Sequence, residues 1–158
     1  MKWLCSTIIL TIGIPGAGKT RWVNKYLKTH PLTYVISTDK LREELTGVEQ
    51  CVNPSQNEWI HNEARKRAKA ILDDPLSKGG MGPEIIIDST NVEKEEWEKY
   101  RKLGSTLLLA KIFKTTPSQA MEYQKNRERF VPLEIVEMKW KQLQTNKQFI
   151  PLYFNMIL

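Results

Sequence analysis

The stretch that decides the fold is Gly13-Ile14-Pro15-Gly16-Ala17-Gly18-Lys19-Thr20, which fits the pattern G-x-x-x-x-G-K-[ST]. The segment before it, residues 6–12, is apolar and β-branched, as is typical of a buried parallel strand. The segment after it, residues 21–28, is predicted to be helical. Glycines at positive φ expose successive backbone N–H groups around a phosphate, and strand, loop and helix in this order provide that context. We expect nucleoside-triphosphate binding at this loop.

Each position of the loop has a physical role in that interpretation. The helix that is expected to start near Gly18 adds its positive N-terminal end to the anion cradle. Lys19 is expected to reach the outer phosphates, and the Thr20 hydroxyl to ligate Mg²⁺. ATP and Mg²⁺ are therefore the expected cofactors. The alternative is a glycine turn that merely ends a strand.

Composition indicates one globular domain spanning residues 1–158, with 41% hydrophobic and 27% charged residues. No apolar run reaches the roughly 18 residues of a membrane span, so we expect a cytoplasmic protein without a membrane partner. Cys5 and Cys51 are too few for a disulfide framework or a metal site. His30 and His61 lie far apart, without cysteines or clustered acids nearby, and neither is expected to be catalytic.

The net charge of +6 comes from 24 Lys and Arg against 18 Asp and Glu. Such a balance is compatible with a polyanionic second substrate, although basic surfaces are common and often only solubilising. The basic run of residues 65–67, together with Lys69, is expected to be a solvated helix face rather than a nucleic-acid patch.

Further strands alternate with helices along the rest of the chain. Strands are predicted at 33–37, 84–88 and 106–113, and helices at 38–45, 55–73, 92–103, from 116 onwards, and 133–144. Loops are predicted at 47–54 and 75–83. The apolar tail, 149–158, is expected either to pack back on the core or to form an edge strand, and its end could be an oligomer contact.

This alternation is typical of an α/β fold with a mainly parallel sheet. With the glycine loop after the first strand, the sequence predicts a three-layer P-loop NTPase-type fold with four or five strands. The segment at about 124–132 lies between two predicted helices, so we expect it to form a lid that excludes water.

Polar residues follow the first three predicted strands, and the carboxyl ends of parallel strands form the ligand-binding edge of a sheet. Asp39 follows the second strand and could deprotonate an acceptor hydroxyl. Arg42, three residues on, would share its helix face and could hold an acceptor phosphate. Alternatively, Asp39 only caps the N-terminus of the helix and forms a local ion pair with Arg42. Thr38 is the other candidate for this N-cap.

Asp88 ends the third predicted strand and could act on Mg²⁺ as a Walker-B carboxylate, or simply cap the following helix. Arg127 and Arg129 precede Val131-Pro132 and could bring a guanidinium to the transferring phosphoryl group. Their alternative is a basic helix end that the helix dipole favours.

Four blocks together resemble the 5′-OH polynucleotide kinases of phage and bacterial nucleic-acid repair, within the P-loop kinases. These blocks are the glycine loop, Ser37-Thr38-Asp39-Lys40-Leu41-Arg42, Asp88-Ser89-Thr90-Asn91, and Arg127-Glu128-Arg129-Phe130-Val131-Pro132. The resemblance covers about residues 6–144. It implies an ATP-dependent kinase that acts on nucleic-acid 5′ ends, with Asp39 as the general base towards the 5′-hydroxyl.

The resemblance also implies roles for the remaining residues of these blocks. Thr38, Arg42, Asp88 and Asn91 would lie at the acceptor, with Arg42 on its neighbouring phosphate and Asp88 also near the metal. The lid arginine that contacts the donor phosphates would be Arg127. Family lids often read R-N-x-x-R, whereas Tyr123 and Gln124 stand at the first two positions here. The second lid cation of the family is then either missing here or supplied by Lys125 or Arg129.

Two other functions remain open from the sequence. A small-molecule kinase for a sugar, nucleoside or antibiotic would share the phosphate loop and an aspartate after the second strand. A nucleotide-dependent switch would share only the loop, and it would leave the D-x-x-R block without a purpose. The sequence does not choose between DNA and RNA, and a homo-oligomer is possible.

Overall fold

The computed structural model describes residues 5–49, 54–74, 82–127 and 130–158. Its strands are β1 (Thr7–Ile12), β2 (Tyr34–Ser37), β3 (Glu84–Asp88), β4 (Leu107–Ile112) and β5 (Met156–Ile157). Its helices are α1 (Lys19–Thr29), α2 (Thr38–Thr46), α3 (Pro54–Asp73), α4 (Lys94–Arg101), α5 (Pro117–Gln124), α6 (Leu133–Asn146) and α7 (Ile150–Tyr153), with a 3₁₀ turn at Lys147–Phe149. Arg129, Cys51 and most of the predicted 75–83 connection lie outside the described residues.

The five strands form one sheet in the order β2-β3-β1-β4-β5, and every neighbouring pair is parallel. The predicted parallel α/β sheet is thereby confirmed. Successive residues of a strand point to opposite faces, so the apolar run of β1 serves two cores. Ile8 and Leu10 pack with α3 and α4 on one face, while Ile9 packs with α1 on the other.

A third apolar cluster joins the glycine loop to the last helices. Ile14 and Ala17 of the loop pack with Ala120 of α5 and Val136 of α6. This cluster fixes the position of the loop relative to the segment between α5 and α6, which was predicted to be the lid.

The start of α2 differs from the prediction. Its N-cap is Ser37, whose hydroxyl accepts a hydrogen bond from the backbone N–H of Lys40, so neither Thr38 nor Asp39 is the cap. Asp88 is not a cap either, because α4 begins only at Lys94, with Glu93 as the N-cap residue. The helix predicted from residue 116 begins at Pro117, with Thr116 as its N-cap and Gln119 completing a capping box.

The basic face predicted for α3 is only partly solvated. Lys66 and Lys69 are exposed, but Arg65 is buried and donates a hydrogen bond of 2.5 Å to Glu96 of α4. The prediction was wrong for Arg65 because a carboxylate from a helix distant in sequence neutralises it.

The C-terminal tail both packs on the core and forms an edge strand, which were its two predicted arrangements. Ile150 and Phe154 are buried in the core, and β5 adds to β4 as an edge strand. The side chains of Leu152 and Met156 are exposed, and a contact with a second copy of the chain stays a prediction. Within the described part of the chain, no helix has the length and apolar character that a membrane crossing requires.

Candidate active site

The glycine loop wraps tightly between β1 and α1. Gly16 and Gly18 have φ values of 82° and 88°, in the left-handed region that glycine adopts without strain. A Cβ on Gly16 would lie 2.8 Å from the backbone oxygen of Ala120, so this position also lacks space for a side chain. The loop ends at Gly18, the N-cap of α1, and the first turn of α1 follows at the same place, where backbone N–H groups have no carbonyl partner within the helix.

Lys19 and Thr20 follow directly in the first turn of α1. The Lys19 ammonium lies over the loop and donates hydrogen bonds to the backbone oxygens of Gly13 (3.1 Å) and Ile14 (2.7 Å). The Thr20 hydroxyl donates to Oδ2 of Asp88 at 2.9 Å. The structure thus brings together three of the residues that the sequence predicted for the phosphate and metal site.

Asp88 is a buried carboxyl at the end of β3. Burial raises the pKa of its carboxyl above the ordinary value, while the Thr20 hydrogen bond and the Lys19 charge oppose that rise. A cation would stabilise such a desolvated carboxylate. Carboxylate and hydroxyl oxygens are hard ligands of the kind that Mg²⁺ prefers. One carboxylate with substrate phosphates is a common Mg²⁺ ligand set, and no group of three His, Cys, Asp or Glu suited to a metal occurs in the described ranges.

Asp39 lies at the same edge of the sheet, in the first turn of α2, which follows the neighbouring strand β2. Ser37 at the end of β2 is in register with Asp88, and α2 begins one residue later. The Asp39 carboxylate is close enough to contribute to the raised pKa of Asp88. Its side chain is 44% exposed, so it faces solvent beside the phosphate loop rather than the core.

Arg42 binds the Asp39 carboxylate from the buried side. Its Nη1 donates to Oδ1 of Asp39 at 3.0 Å and to the backbone oxygen of Glu49 at 2.9 Å, and its Nη2 donates to Oδ1 of Asn57 at 2.9 Å. Asp39 and Arg42 thus share one helix face as predicted, and they form the local ion pair that the sequence offered only as the alternative to an acceptor role. The side chain of Arg42 is only 5% exposed, so its guanidinium is bound inside the protein rather than presented to an acceptor phosphate.

Thr38 and Asn91, both predicted to bind the acceptor, make internal contacts. The buried Thr38 hydroxyl donates to the hydroxyl of Ser89 at 3.0 Å and so ties the start of α2 to the loop after β3. Asn91 is buried, has a φ of 46°, and donates from Nδ2 to the backbone oxygens of Thr11 (2.9 Å) and Ile87 (3.2 Å). These contacts shape the acceptor edge of the sheet.

The segment between α5 and α6 holds the predicted lid residue Arg127, whose side chain is exposed. Its anchor is Gln124, a fully buried side chain at the end of α5 whose Oε1 accepts a hydrogen bond from the Val131 N–H at 2.8 Å. The sequence analysis identified Gln124 only as a departure from the R-N-x-x-R lid pattern and did not predict this anchoring role. The signal was present, because Gln124 occupies the position of the Asn in that pattern and carries the same amide group.

The arrangement has two halves that meet at Asp88. On one side, backbone N–H groups, Lys19 and Thr20 can hold a triphosphate. On the other, an exposed carboxylate, Asp39, is held in place where a second reactant could approach. Such a site can transfer a phosphoryl group to a hydroxyl, because the reaction needs positioning, charge stabilisation and a group that accepts the hydroxyl proton.

Comparison with protein families and solved structures gives the same picture. The model of the AAA_33 family, an AAA domain, matches residues 8–149. A chain of the Pnkp1/Rnl/Hen1 RNA repair complex superposes with a TM-score of 0.72 at 19% identity, covering 91% of this chain and 46% of that chain. This chain thus spans less than half the length of that relative.

Two small-molecule kinases superpose as well. A gluconokinase from Sinorhizobium meliloti gives a TM-score of 0.65 at 13% identity, covering 99% of this chain and 82% of that chain. Shikimate kinase from Acinetobacter baumannii gives a TM-score of 0.60 at 11% identity, covering 98% of this chain and 83% of that chain. Identities this low show the fold alone, and that fold is the α/β fold of P-loop kinases.

Proposed function

The chain belongs to the AAA_33 family of AAA domains, and on this basis we propose that it is an ATP-dependent kinase of nucleic-acid 5′-hydroxyl ends. The observation that carries the proposal is Asp39, an exposed carboxylate fixed beside Asp88 and the phosphate loop by a buried arginine. The D-x-x-R spacing of Asp39 and Arg42 is the one that the sequence resemblance associates with a polynucleotide acceptor. The similar fold of an RNA repair chain and the net charge of +6 also support it.

In the proposed reaction, Asp39 accepts the proton of the 5′-hydroxyl as that oxygen attacks the γ-phosphorus. Lys19 leaves its contacts with the loop carbonyls and neutralises the charge of the transferring group. Bound Mg²⁺, held by Thr20 and Asp88, would supply further charge stabilisation. Arg127, with Arg129 or Lys125 as the second lid cation, approaches the donor phosphates.

Arg42 receives a different role from the one that the resemblance implies. Because its guanidinium contacts Asp39, Asn57 and the Glu49 backbone on the inside, we propose that it positions the base. A direct contact with the acceptor phosphate stays an untested prediction, and so does the expected cytoplasmic location.

A small-molecule kinase is the second candidate, and one observation favours it. The guanidinium of Arg42 is turned inward, so the residue expected to clamp an acceptor phosphate is engaged elsewhere. An acceptor without phosphates would need no such clamp. Two of the similar folds belong to kinases of that kind.

The test is transfer of label from γ-labelled ATP to a 5′-OH oligonucleotide, with the same oligonucleotide carrying a 5′-phosphate as the blank. Asp39→Asn keeps the shape of the side chain but cannot accept the proton, so we expect kcat to fall about a hundredfold or more. Glu43→Gln, the same chemical change at an exposed position of α2, is the matched control and should leave kcat unchanged. No transfer by the wild type, or equal effects of both variants, would contradict the proposal.

A further inference from the structure

Four aromatic rings form a row along α1, from the phosphate loop to the end of the helix. Phe113, just after β4, lies so close to Gly13 that a Cβ on this glycine would be 2.9 Å from its own Cβ. The ring centres of Phe113 and Trp22 are 6.2 Å apart, and those of Trp22 and Tyr26 are 5.0 Å apart. Tyr26 stacks on His30 at 3.9 Å, with 6° between the two ring planes. We call these four residues the aromatic row.

The rings of the aromatic row are held in place and still reach the surface. Trp22 and Tyr26 are half-buried and pack on the core residues of β1, β3 and β4, and the Tyr26 hydroxyl donates to Oε1 of Glu84 at 2.9 Å. Phe113 is half-buried as well, and His30 is exposed. Rings that are already fixed lose little conformational freedom when a ligand binds to them.

A stripe of cations accompanies the row on the outer side of α1. Arg21, Lys25 and Lys28 are exposed, and their spacing of four and three residues places them on one face of the helix. Arg21 directly precedes Trp22 in the chain, and Lys25 directly precedes Tyr26. The cations and the rings therefore form two neighbouring stripes along the same helix.

Two further lysines extend the positive charge to the end of β4. The Lys111 ammonium lies 5.6 Å from the centre of the Trp22 ring and 5.8 Å from that of Phe113. Lys114, next in the chain after Phe113, is exposed. Positive charge thus surrounds the half of the row that adjoins the phosphate loop.

Carboxylates are scarce around the row. The sequence has no Asp or Glu before Asp39 and none between Glu98 and Glu122, so α1 and β4 contain no acid. Glu84, which contacts the row, accepts hydrogen bonds from the hydroxyls of Tyr26 and Thr33. Within the part of the chain that the structure describes, no ion pair neutralises the five cations, which are Arg21, Lys25, Lys28, Lys111 and Lys114.

Cations beside a row of rings suit single-stranded nucleic acid. The phosphates of a strand bind lysine and arginine, and its bases stack on aromatic side chains in any sequence. A duplex offers the same phosphates, but its bases already stack on one another. The 11 residues of α1 extend over about 16 Å, which corresponds to about five nucleotides at about 3.4 Å each.

We propose that α1 binds a single strand of nucleic acid, with the phosphates on Arg21, Lys25 and Lys28 and the bases on the aromatic row. This surface is separate from the residues that we place at the transferring phosphate. The inference deepens the proposed function, because it states how the protein holds a polynucleotide away from the reacting end. Its link to phosphoryl transfer rests on that function, whereas binding of the strand does not.

The binding test uses a thymidine oligonucleotide of about 20 nucleotides with a 5′-phosphate, which cannot be an acceptor, and a 3′-fluorophore. Fluorescence anisotropy without ATP measures Kd between about 0.05 and 0.2 M salt. Each lost phosphate contact lowers the salt slope by about 0.7 and the affinity about fivefold at 0.1 M salt. Lys25→Ala with Lys28→Ala should therefore weaken binding about 25-fold.

The matched control is Lys66→Ala with Lys141→Ala, which removes two exposed lysines from α3 and α6. Both helices pack with Ile8 and Leu10, on the face of the sheet opposite to α1. The control removes the same net charge and should change Kd less than about twofold. Equal weakening by the two double variants would overturn the proposal, because the binding would then depend on net charge and not on α1.

Stacking is tested at His30, the exposed end of the row. His30→Ala should weaken binding of the single strand about fivefold or more, and His30→Phe, which keeps a ring, should preserve it. A duplex and an abasic strand of the same length should bind the wild type more weakly than the thymidine strand. Equal affinity for the abasic strand would overturn the proposal. So would binding to phosphatidylserine vesicles without binding to the oligonucleotide.

Transfer from γ-labelled ATP to a 5′-OH oligonucleotide separates this proposal from the proposed function. Strand binding that depends on Lys25 and Lys28, without transfer, would contradict the polynucleotide kinase and support the α1 surface. Transfer by a protein whose strand binding is unchanged in Lys25→Ala with Lys28→Ala would overturn the α1 surface alone. Where both proposals hold, this double variant should raise KM for the oligonucleotide and leave kcat unchanged.

Discussion

Two aspartates at one edge of the sheet have opposite surroundings, and this difference supports the separate roles that we propose for them. Asp88 is buried, with its carboxyl bound by the Thr20 hydroxyl, whereas the Asp39 side chain is 44% exposed. A buried carboxylate beside the phosphate loop suits a cation, and an exposed one suits a proton from a second reactant. The difference in burial therefore supports the proposal that Asp88 faces the metal and Asp39 accepts the proton.

Asp88→Asn should stabilise the protein at neutral pH in the absence of nucleotide. Burial raises the pKa of Asp88 in the folded chain above the ordinary value of 3.8. At a pH between 3.8 and that raised pKa, the folded chain binds the proton more than the unfolded chain does. The free energy of unfolding therefore falls as pH rises through that window, and above it the buried charge remains unfavourable. Asparagine removes that charge while its oxygen still accepts the Thr20 hydrogen bond.

Thermal unfolding of the wild type and of Asp88→Asn at pH 7 and near pH 3.8 checks this prediction. The variant should melt at the higher temperature at pH 7, and the gap should shrink in acid. Magnesium-dependent transfer should fall in the same variant. A lower melting temperature at pH 7 would show that the carboxylate stabilises the fold by itself.

Arg42→Ala should lower both stability and transfer. The substitution removes the donor from the half-buried oxygens of Asn57 and Glu49, and a hydrogen bond that involves a charged group contributes about 1.5–3 kcal/mol. Asp39→Asn, at the exposed end of the same pair, should change the free energy of unfolding far less. Urea unfolding of the two variants measures the contrast.

The kinetics of Arg42→Ala distinguish a positioning residue from a phosphate clamp. If it acts through Asp39, transfer to an oligonucleotide and to a plain 5′-OH nucleoside should fall by the same factor. A loss confined to the oligonucleotide would instead indicate a direct phosphate contact.

Residue types and spacing predicted the pairing of Asp39 with Arg42, but not the burial of the arginine. Its other partners, Glu49 and Asn57, are 7 and 15 residues further along the chain. Such contacts depend on how α3 packs against α2, which local patterns do not contain. For the same reason the internal contacts of Asn91, with residues on two strands, were not predicted.

At the scale of elements, the phosphate loop depends on two glycines for different reasons. Both Gly16 and Gly18 have positive φ, but only Gly16 is packed against another element, because a Cβ there would lie 2.8 Å from the Ala120 oxygen. A Cβ on Gly18 would meet nothing within 4 Å.

Gly16→Ala should therefore destabilise the fold more than Gly18→Ala. The left-handed conformation costs an alanine about 1–2 kcal/mol at either position, and the clash with α5 adds to this at Gly16 alone. Denaturant unfolding in the absence of nucleotide gives the comparison free of effects on phosphate binding. Equal losses would mean that α5 moves aside without cost.

The turn between α5 and α6 depends on Gln124, the buried acceptor of the Val131 N–H. Gln124→Met keeps the length of the side chain but leaves that N–H unsatisfied, a loss of about 1–3 kcal/mol. Gln119→Met, on the exposed first turn of the same helix, is the control and removes only a capping contact. Thermal unfolding should show the larger decrease for Gln124→Met. If the control decreases as much, Gln124 does not anchor this segment.

Element positions followed from sequence wherever one pattern was unambiguous. The strand at Glu84–Asp88, three isoleucines between acids, was predicted to the residue, and α4 was predicted too long at both ends. Helix ends depend on capping contacts, and in α2 and α4 the caps are Ser37 and Glu93 rather than the expected residues. The cap of α2 depends on one hydrogen bond, from the Lys40 N–H to the Ser37 hydroxyl, which the hydrophobic periodicity does not reveal, and Glu93 makes no such side-chain bond.

At the scale of the whole molecule, the fold alone does not choose the acceptor. The same α/β layers superpose on a chain of an RNA repair complex and on gluconokinase and shikimate kinase. Asp39, an exposed carboxylate held beside the phosphate loop by Arg42, is the feature of this chain on which we base the proposal of a 5′-OH polynucleotide end.

An assay in which different acceptors compete for the same enzyme tests the proposed polynucleotide 5′-hydroxyl kinase activity. The wild-type protein receives γ-labelled ATP, Mg²⁺ and a 5′-OH oligonucleotide, as DNA in one series and RNA in another, together with gluconate, shikimate and free nucleosides. We expect kcat/KM for the 5′-OH oligonucleotide to exceed that for each small molecule. The label should lie at the 5′ end of the oligonucleotide, from which a phosphatase removes it. Preferential labelling of a small molecule, with the oligonucleotide left unlabelled, would contradict it.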